Sequence, residues 1–172
     1  MSRGFLSEKS AAIIKRWRQL VLETYPADGA RFLKQEQDPF DNPVGATVGR
    51  SLETLYQELL EGMQAERLCA ALDDILRIRA VQQFSPSQAV AFVFLLKDVV
   101  REELEKNPRD LEARDEARRL EARVDQLALL AFDVYTQCRE KLFEIRVKEL
   151  KAGRDAALRL LDRHHADRPE EP

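Results

Sequence analysis

The sequence predicts an all-α fold, an antiparallel helical bundle that ends in a long C-terminal helix. Three observations carry that expectation. Apolar residues recur at steps of three and four, as in Val44, Val48, Leu52, Leu55 and Leu59. Helix start signals stand where such runs begin. The clearest is Ser85-Pro86-Ser87-Gln88: Ser85 can cap, Pro86 suits the first helical position and Gln88 completes a capping box. No segment alternates with strand period, and only 6 glycines accompany 34% charged residues, a composition that favours helices over a sandwich or barrel.

The elements follow in order. Ser7 is the expected cap of a first helix over Glu8–Thr24, with Ile13, Trp17, Leu20 and Val21 on one side and Tyr25-Pro26 ending it. Asp28 can cap a short helix through Leu33. Asp38-Pro39-Phe40-Asp41-Asn42-Pro43 reads as a loop, with Asn42 capping the next helix and Pro43 at its first position. Gly62 is the expected C-terminal cap of that helix. Gly45 and Gly49 lie inside it at a spacing that permits close helix packing. Ala65–Val81 is the next helix, and Pro86–Lys106 the one after, apolar almost all round until Lys97.

Asn107-Pro108 breaks the pattern and Asn107 is the expected cap of the last helix. That helix begins with a charged stretch, Asp110–Arg123. It continues through Leu127–Phe132, expected to lie inside, and keeps a sparser stripe to Leu161. From Asp110 to Arg163 it would measure about 80 Å at ~1.5 Å per residue, while a compact domain of this size is only ~40 Å across. Part of it must project, bend at Gly153 or pack on another chain. A homodimer seam over Leu142, Ile145, Leu150, Leu158 and Leu161 is the expectation. The domain is drawn as 1–152, with 153–172 as a helical extension and polar tail.

A formal charge of −3 gives no overall basic field to recruit nucleic acid. Met1–Ala11 does not read as a signal peptide. The longest apolar run, Ala89–Leu96, is far shorter than the ~20 residues of a membrane span. The expectation is a cytoplasmic protein without membrane insertion, whose Cys69 and Cys138 are buried reduced thiols.

Chemistry-bearing motifs are few. The sequence has no Gly-rich phosphate loop and no serine nucleophile elbow, and its two histidines, His164 and His165, sit in the tail. That argues against haem and against histidine-based catalysis. No cofactor, metal or enzymatic activity is expected. What stands out is polar side chains on helices expected to be buried. Asp133 follows an apolar run, and a lone buried carboxylate is costly unless paired. Arg77, Arg79 and Arg139 are its candidate partners. With Gln82, Gln83 and Ser87 these residues form the candidate ligand pocket, and structural ion pairing is the plainer alternative.

Several strings together resemble one family, the N-terminal domain of the RsbRD-type RsbT co-antagonist proteins. They are Arg16-Trp17, Thr24-Tyr25-Pro26, and Asp38-Pro39-Phe40-Asp41-Asn42-Pro43-Val44-Gly45. The longest runs from Ile78 to Ala89 and contains Phe84-Ser85-Pro86-Ser87-Gln88-Ala89. Phe132-Asp133-Val134-Tyr135, Arg139-Glu140-Lys141 and Arg146-Val147 complete the set, and the resemblance covers about Leu6–Lys151. It implies a helical input domain of stress signalling. The better-known relatives have globin-like, dimeric, haem-free domains, which makes a globin-like arrangement a candidate here. A phosphorylatable STAS domain follows the module in those signalling proteins. This chain leaves no length for one, so a stand-alone module is expected.

The functional expectation is a non-catalytic signalling module. It acts through a small-ligand pocket or a partner surface, as a homodimer and with a regulatory protein as a further partner. The alternative is a protein-binding adaptor of an anaerobic redox system that takes no small ligand.

Overall fold

A computed structural model describes residues 4–26, 43–106 and 110–166, with side chains to Leu161. The described residues are helical and contain no strand. In chain order the helices are α1 (Phe5–Glu8), α2 (Ser10–Glu23), α3 (Pro43–Glu61), α4 (Ala65–Val81), α5 (Pro86–Val90), α6 (Leu95–Glu105) and α7 (Leu111–Ala166). A 3-10 turn, Ala91–Val93, separates α5 from α6. By contacts the chain divides into two compact units, Met1–Cys138 and Arg139–Pro172.

In the first unit α3 packs along α4, and α2 lies against α6 and α3. The core holds the residues that helical spacing selects: Ile13, Trp17 and Val21 of α2, Val48, Leu52, Leu55 and Leu59 of α3, and Leu68, Leu72, Ile75 and Leu76 of α4. Gly45 and Gly49 are both buried, and Arg18 crosses them, its guanidinium donating to the Gly45 carbonyl at 3.4 Å. A Cβ on Gly49 would stand 3.1 Å from that guanidinium, so any larger residue there would oblige Arg18 to shift by a few tenths of an ångström. On α7, Arg123 donates to the Leu59 and Leu60 carbonyls at 2.5 and 3.1 Å, satisfying acceptors that the end of α3 leaves open. Glu116 accepts from the Leu6 amide at 3.1 Å, and the buried Tyr56 hydroxyl donates to the Leu6 carbonyl at 2.9 Å, so α1 is clasped from two sides.

The structure departs from the sequence expectation at several ends. The first helix breaks at Lys9, and α1 starts from Gly4 without a side-chain cap, so Ser7 does not cap it. At the end of α3 the left-handed residue is Met63 (φ 56°), one position after Gly62. Asp110 caps α7, its carboxylate accepting from the Ala113 amide at 2.9 Å. Asn107, the Asp28 helix and the loop before Pro43 lie outside the described residues.

The expected Pro86–Lys106 helix is interrupted. Its start is as anticipated: the Gln88 amide donates to Ser85 Oγ at 3.3 Å and the Ser85 amide to Gln88 Oε1 at 3.0 Å. Five residues later the α-helix gives way to the 3-10 turn. There the Phe92 carbonyl accepts from the buried Trp17 indole N–H at 2.8 Å, and the two rings stack with centroids 6.4 Å apart. A carbonyl drawn sideways to a side chain is where the regular ladder tightens.

The segment Leu127–Phe132 is not enclosed as expected. Leu127, Ala128 and Ala131 are buried, whereas Leu129 is 72% and Phe132 52% exposed.

In the second unit the helix is exposed along nearly its whole described length, including Phe143, Ile145, Leu150, Leu158, Leu160 and Leu161.

Candidate functional site

The most unusual side chain is Arg79, on the last turn of α4 and fully buried. Helical spacing puts it on the face that carries Leu72, Ile75 and Leu76 into the core. One terminal nitrogen donates to the Gln88 carbonyl at 3.1 Å, and the other to Thr24 Oγ1 at 2.8 Å. The Thr24 hydroxyl in turn donates to the Val21 carbonyl at 2.6 Å. The guanidinium carbon stands 4.8, 4.9 and 5.0 Å from the ring centroids of Tyr25, Phe84 and Phe92. Three aromatic faces stabilise a cation that has left water. No carboxylate among the described residues pairs with it.

Two buried polar atoms at this spot, Arg79 Nε and the Tyr25 hydroxyl, lack a well-aligned hydrogen-bond partner among the described residues, although the hydroxyl interacts with the Arg79 guanidinium beside it. Burial lowers the affinity of Arg79 for its proton, and the nearby Tyr25 works the other way. Burial pushes the Tyr25 phenol up from its ordinary value, and the Arg79 charge partly offsets that shift.

The backbone explains why these groups meet. Helix α4 ends in a Schellman turn: Gln83 is left-handed (φ 62°), its amide donates to the Ala80 carbonyl at 3.2 Å, and the Phe84 amide donates to the Arg79 carbonyl at 3.1 Å. That turn swings Phe84 back over Arg79. The Tyr135 hydroxyl of α7 donates to the Phe84 carbonyl and holds the turn from outside. A cleft of about 380 Å³ opens over this cage, lined by Thr24, Tyr25, Pro26, Gln82, Gln83, Phe84, Gln88 and Ala91.

A second, more apolar groove of about 760 Å³ lies across the Pro86–Phe94 segment, against Ala128, Leu129 and Phe132 of α7. Ala91 lines both spaces.

The sequence-selected residues divide among these places. Arg79, Gln82 and Gln83 meet at the first cleft, Arg79 behind its wall and the glutamines on its exposed rim. Ser87 lines the second groove. Arg77 is exposed and pairs with Asp73, one turn earlier. Asp133 is exposed, so the burial that made it suspicious is absent, and Arg139 is exposed in the second unit. Cys138 is buried, its thiol donating to Asp73 at 3.4 Å, and Cys69 is half-buried.

Sequence reasoning missed Thr24, Tyr25 and Phe84 as site residues. Their signal was present: an aromatic before proline at a helix end, and another just ahead of a capping box.

Among the described residues no group of His, Cys, Asp and Glu is arranged to hold a metal ion, and no helix is long and apolar enough to cross a membrane. Comparison with known proteins supplies the family. The model of the RsbT co-antagonist protein rsbRD N-terminal domain matches residues 11–150. An uncharacterized protein of Archaeoglobus fulgidus is 32% identical over 155 residues, covering 87% of this chain and 90% of its own. No solved structure matches the chain. The chain belongs to the RsbT co-antagonist RsbRD N-terminal domain family, and is a non-catalytic regulatory input domain.

Proposed function

We propose that this input domain receives its signal as a small ligand in the cleft over Arg79. The observation that carries the reading is a pair of buried polar atoms, the Tyr25 hydroxyl and Arg79 Nε, that lack a well-aligned hydrogen-bond partner among the described residues, at a cleft rimmed by glutamines. Buried polar groups are nearly always partnered, and an exception marks a place where function overrides stability. The second groove supports a route outward. It shares the Pro86–Phe94 segment with the cleft, so a ligand pressing on Gln88 or Ala91 presses on the groove wall.

The reading includes a homodimer. On an α-helix with ~100° per residue, Phe143, Val147, Leu150, Leu158 and Leu161 fall within an arc of roughly 80°, while Leu142 and Ile145 fall on another side. Three of the five expected seam residues thus share one stripe with Phe143 and Val147. A globin-like arrangement and a cytoplasmic setting belong to the same reading as expectations. Nothing in the structure or the family match favours the redox-adaptor alternative.

Two experiments test the proposal. Native mass spectrometry of the purified chain should show a retained small molecule or a mass shift on ligand addition that Tyr25→Phe weakens. A library of small metabolites that leaves the amide resonances of Tyr25 and Gln82–Ser85 unmoved would sink it. Light scattering at micromolar concentration should give a dimer that Leu150→Glu converts to monomer; a monomeric parent protein ends the dimer part.

A further inference from the structure

We infer that the cleft takes a small monocarboxylate with an apolar body, drawn by the buried Arg79 cation behind its wall. The inference rests on the ligand-cleft reading above and adds the chemical class. Guanidinium keeps its charge in proteins. Every partner of Arg79 among the described residues is neutral: a carbonyl, a hydroxyl and three ring faces. The site therefore holds a positive charge that the described residues do not balance, and a burial that strengthens its field. No acidic side chain among the described residues lines the cleft. The exposed groups that line it offer hydrogen-bond donors, the side-chain amides of Gln82 and Gln83, with the buried Tyr25 hydroxyl behind them beside Arg79.

The rest of the lining selects the body of the ligand. Tyr25 and Phe84 meet edge to face with centroids 5.6 Å apart, and Pro26 and Ala91 continue the apolar wall. A volume of about 380 Å³ is at the small end of ligand sites. A multiply charged ion is disfavoured, because no cationic side chain among the described residues lies on the cleft surface, which stands at the C-terminal, electronegative end of α4. The Schellman turn occupies the nearest carbonyls of that end, which lessens their repulsion of a single negative charge.

The test is a titration of the full chain followed by amide NMR, with benzoate, its uncharged isostere benzamide, and inorganic phosphate as probes. Benzoate is expected to give saturable shifts at Tyr25 and Gln82–Ser85, with benzamide weaker by at least ~10-fold and phosphate without effect there. Gln82→Glu adds a negative charge to the exposed rim and should weaken benzoate by ~10-fold at an unchanged thermal midpoint; Gln83→Glu is the second variant should the first perturb the fold. Benzamide binding as tightly as benzoate overturns the anion class and leaves the cleft reading standing. Phosphate binding more tightly than benzoate overturns the monocarboxylate. Absence of shifts at these amides with all three probes overturns both the inference and the reading beneath it.

Discussion

Trp17→Phe is the substitution whose cost the structure defines best. The side chain is fully buried, and its indole N–H donates to the Phe92 carbonyl at 2.8 Å, at the point where the helix tightens into a 3-10 turn. Phenylalanine keeps the stacked ring against Phe92 and removes the donor. A buried carbonyl left without a partner costs about 1–3 kcal/mol. The smaller ring leaves a void of roughly 40 Å³, about 1 kcal/mol at ~24 cal/mol per Å³. The sum is about 2–4 kcal/mol, or a fall in Tm of roughly 5–15 °C for a chain of this length. Urea unfolding followed by circular dichroism at matched slope reads it directly. A loss of about 1 kcal/mol or less would refute the reasoning. It would mean that the turn rewinds and gives Phe92 a backbone donor again, so that the indole bond does not hold it.

Other substitutions test separate parts of the description. Met63→Gly removes a side chain from a left-handed position (φ 56°) and should raise stability by about 0.5–1 kcal/mol in urea unfolding. Ser85→Ala breaks a formed capping box and should lower it by about 1 kcal/mol. Tyr56→Phe loses a buried bond to the Leu6 carbonyl and should cost about 1–2 kcal/mol, whereas Tyr25→Phe deletes a hydroxyl without a well-aligned partner among the described residues and should cost less. Both phenols are pushed up by burial, Tyr56 further by the nearby Glu116. The unfolded chain releases these protons from about pH 10, before the native state does. Their stabilising effect is therefore intact below pH 10 and falls above it, by up to ~1.4 kcal/mol per pH unit for each tyrosine. Urea midpoints from pH 9 to 11.5 should show the decline, shallower in the Tyr25→Phe/Tyr56→Phe double variant.

What the sequence made legible follows from local rules. Helix α4 and the capping box at Ser85 were readable because spacing and cap chemistry act within a few residues. The interruption at Ala91–Val93 was not, because its cause is Trp17, distant in sequence and near only once α2 packs against the segment. The left-handed residue at the end of α3 was assigned to Gly62 on propensity, and tertiary context moved it one place on, to Met63. At the site, Arg79, Gln82 and Gln83 were found because polar residues stood out in a stretch expected to be buried. Asp133 was selected by the same logic and is exposed: the apolar residues before it, Leu129 and Phe132, face the groove rather than the core. A sequence cannot distinguish a helix apolar all round because it is enclosed from one that presents part of its apolar surface outward.

The irregular segment between the two clefts owes its shape to three side chains from three different helices. Tyr135 of α7 holds the Phe84 carbonyl, Arg79 of α4 the Gln88 carbonyl, and Trp17 of α2 the Phe92 carbonyl. A long regular helix there would keep its own carbonyls through a cooperative ladder, and bending it would break several bonds at once. Held instead by separate anchors about one turn apart, the segment can shift locally by disturbing one bond, on the order of a few kcal/mol, while the other two stay made. That is within the range a small ligand's differential affinity can supply. The middle anchor is the one whose partners line the ligand cleft, since Arg79 binds Thr24 and Gln88 together. On the proposed reading, a ligand that draws on the Arg79 charge would act on the anchor at the centre of the wall, and the groove beyond it would change shape by way of the Gln88–Ala91 stretch.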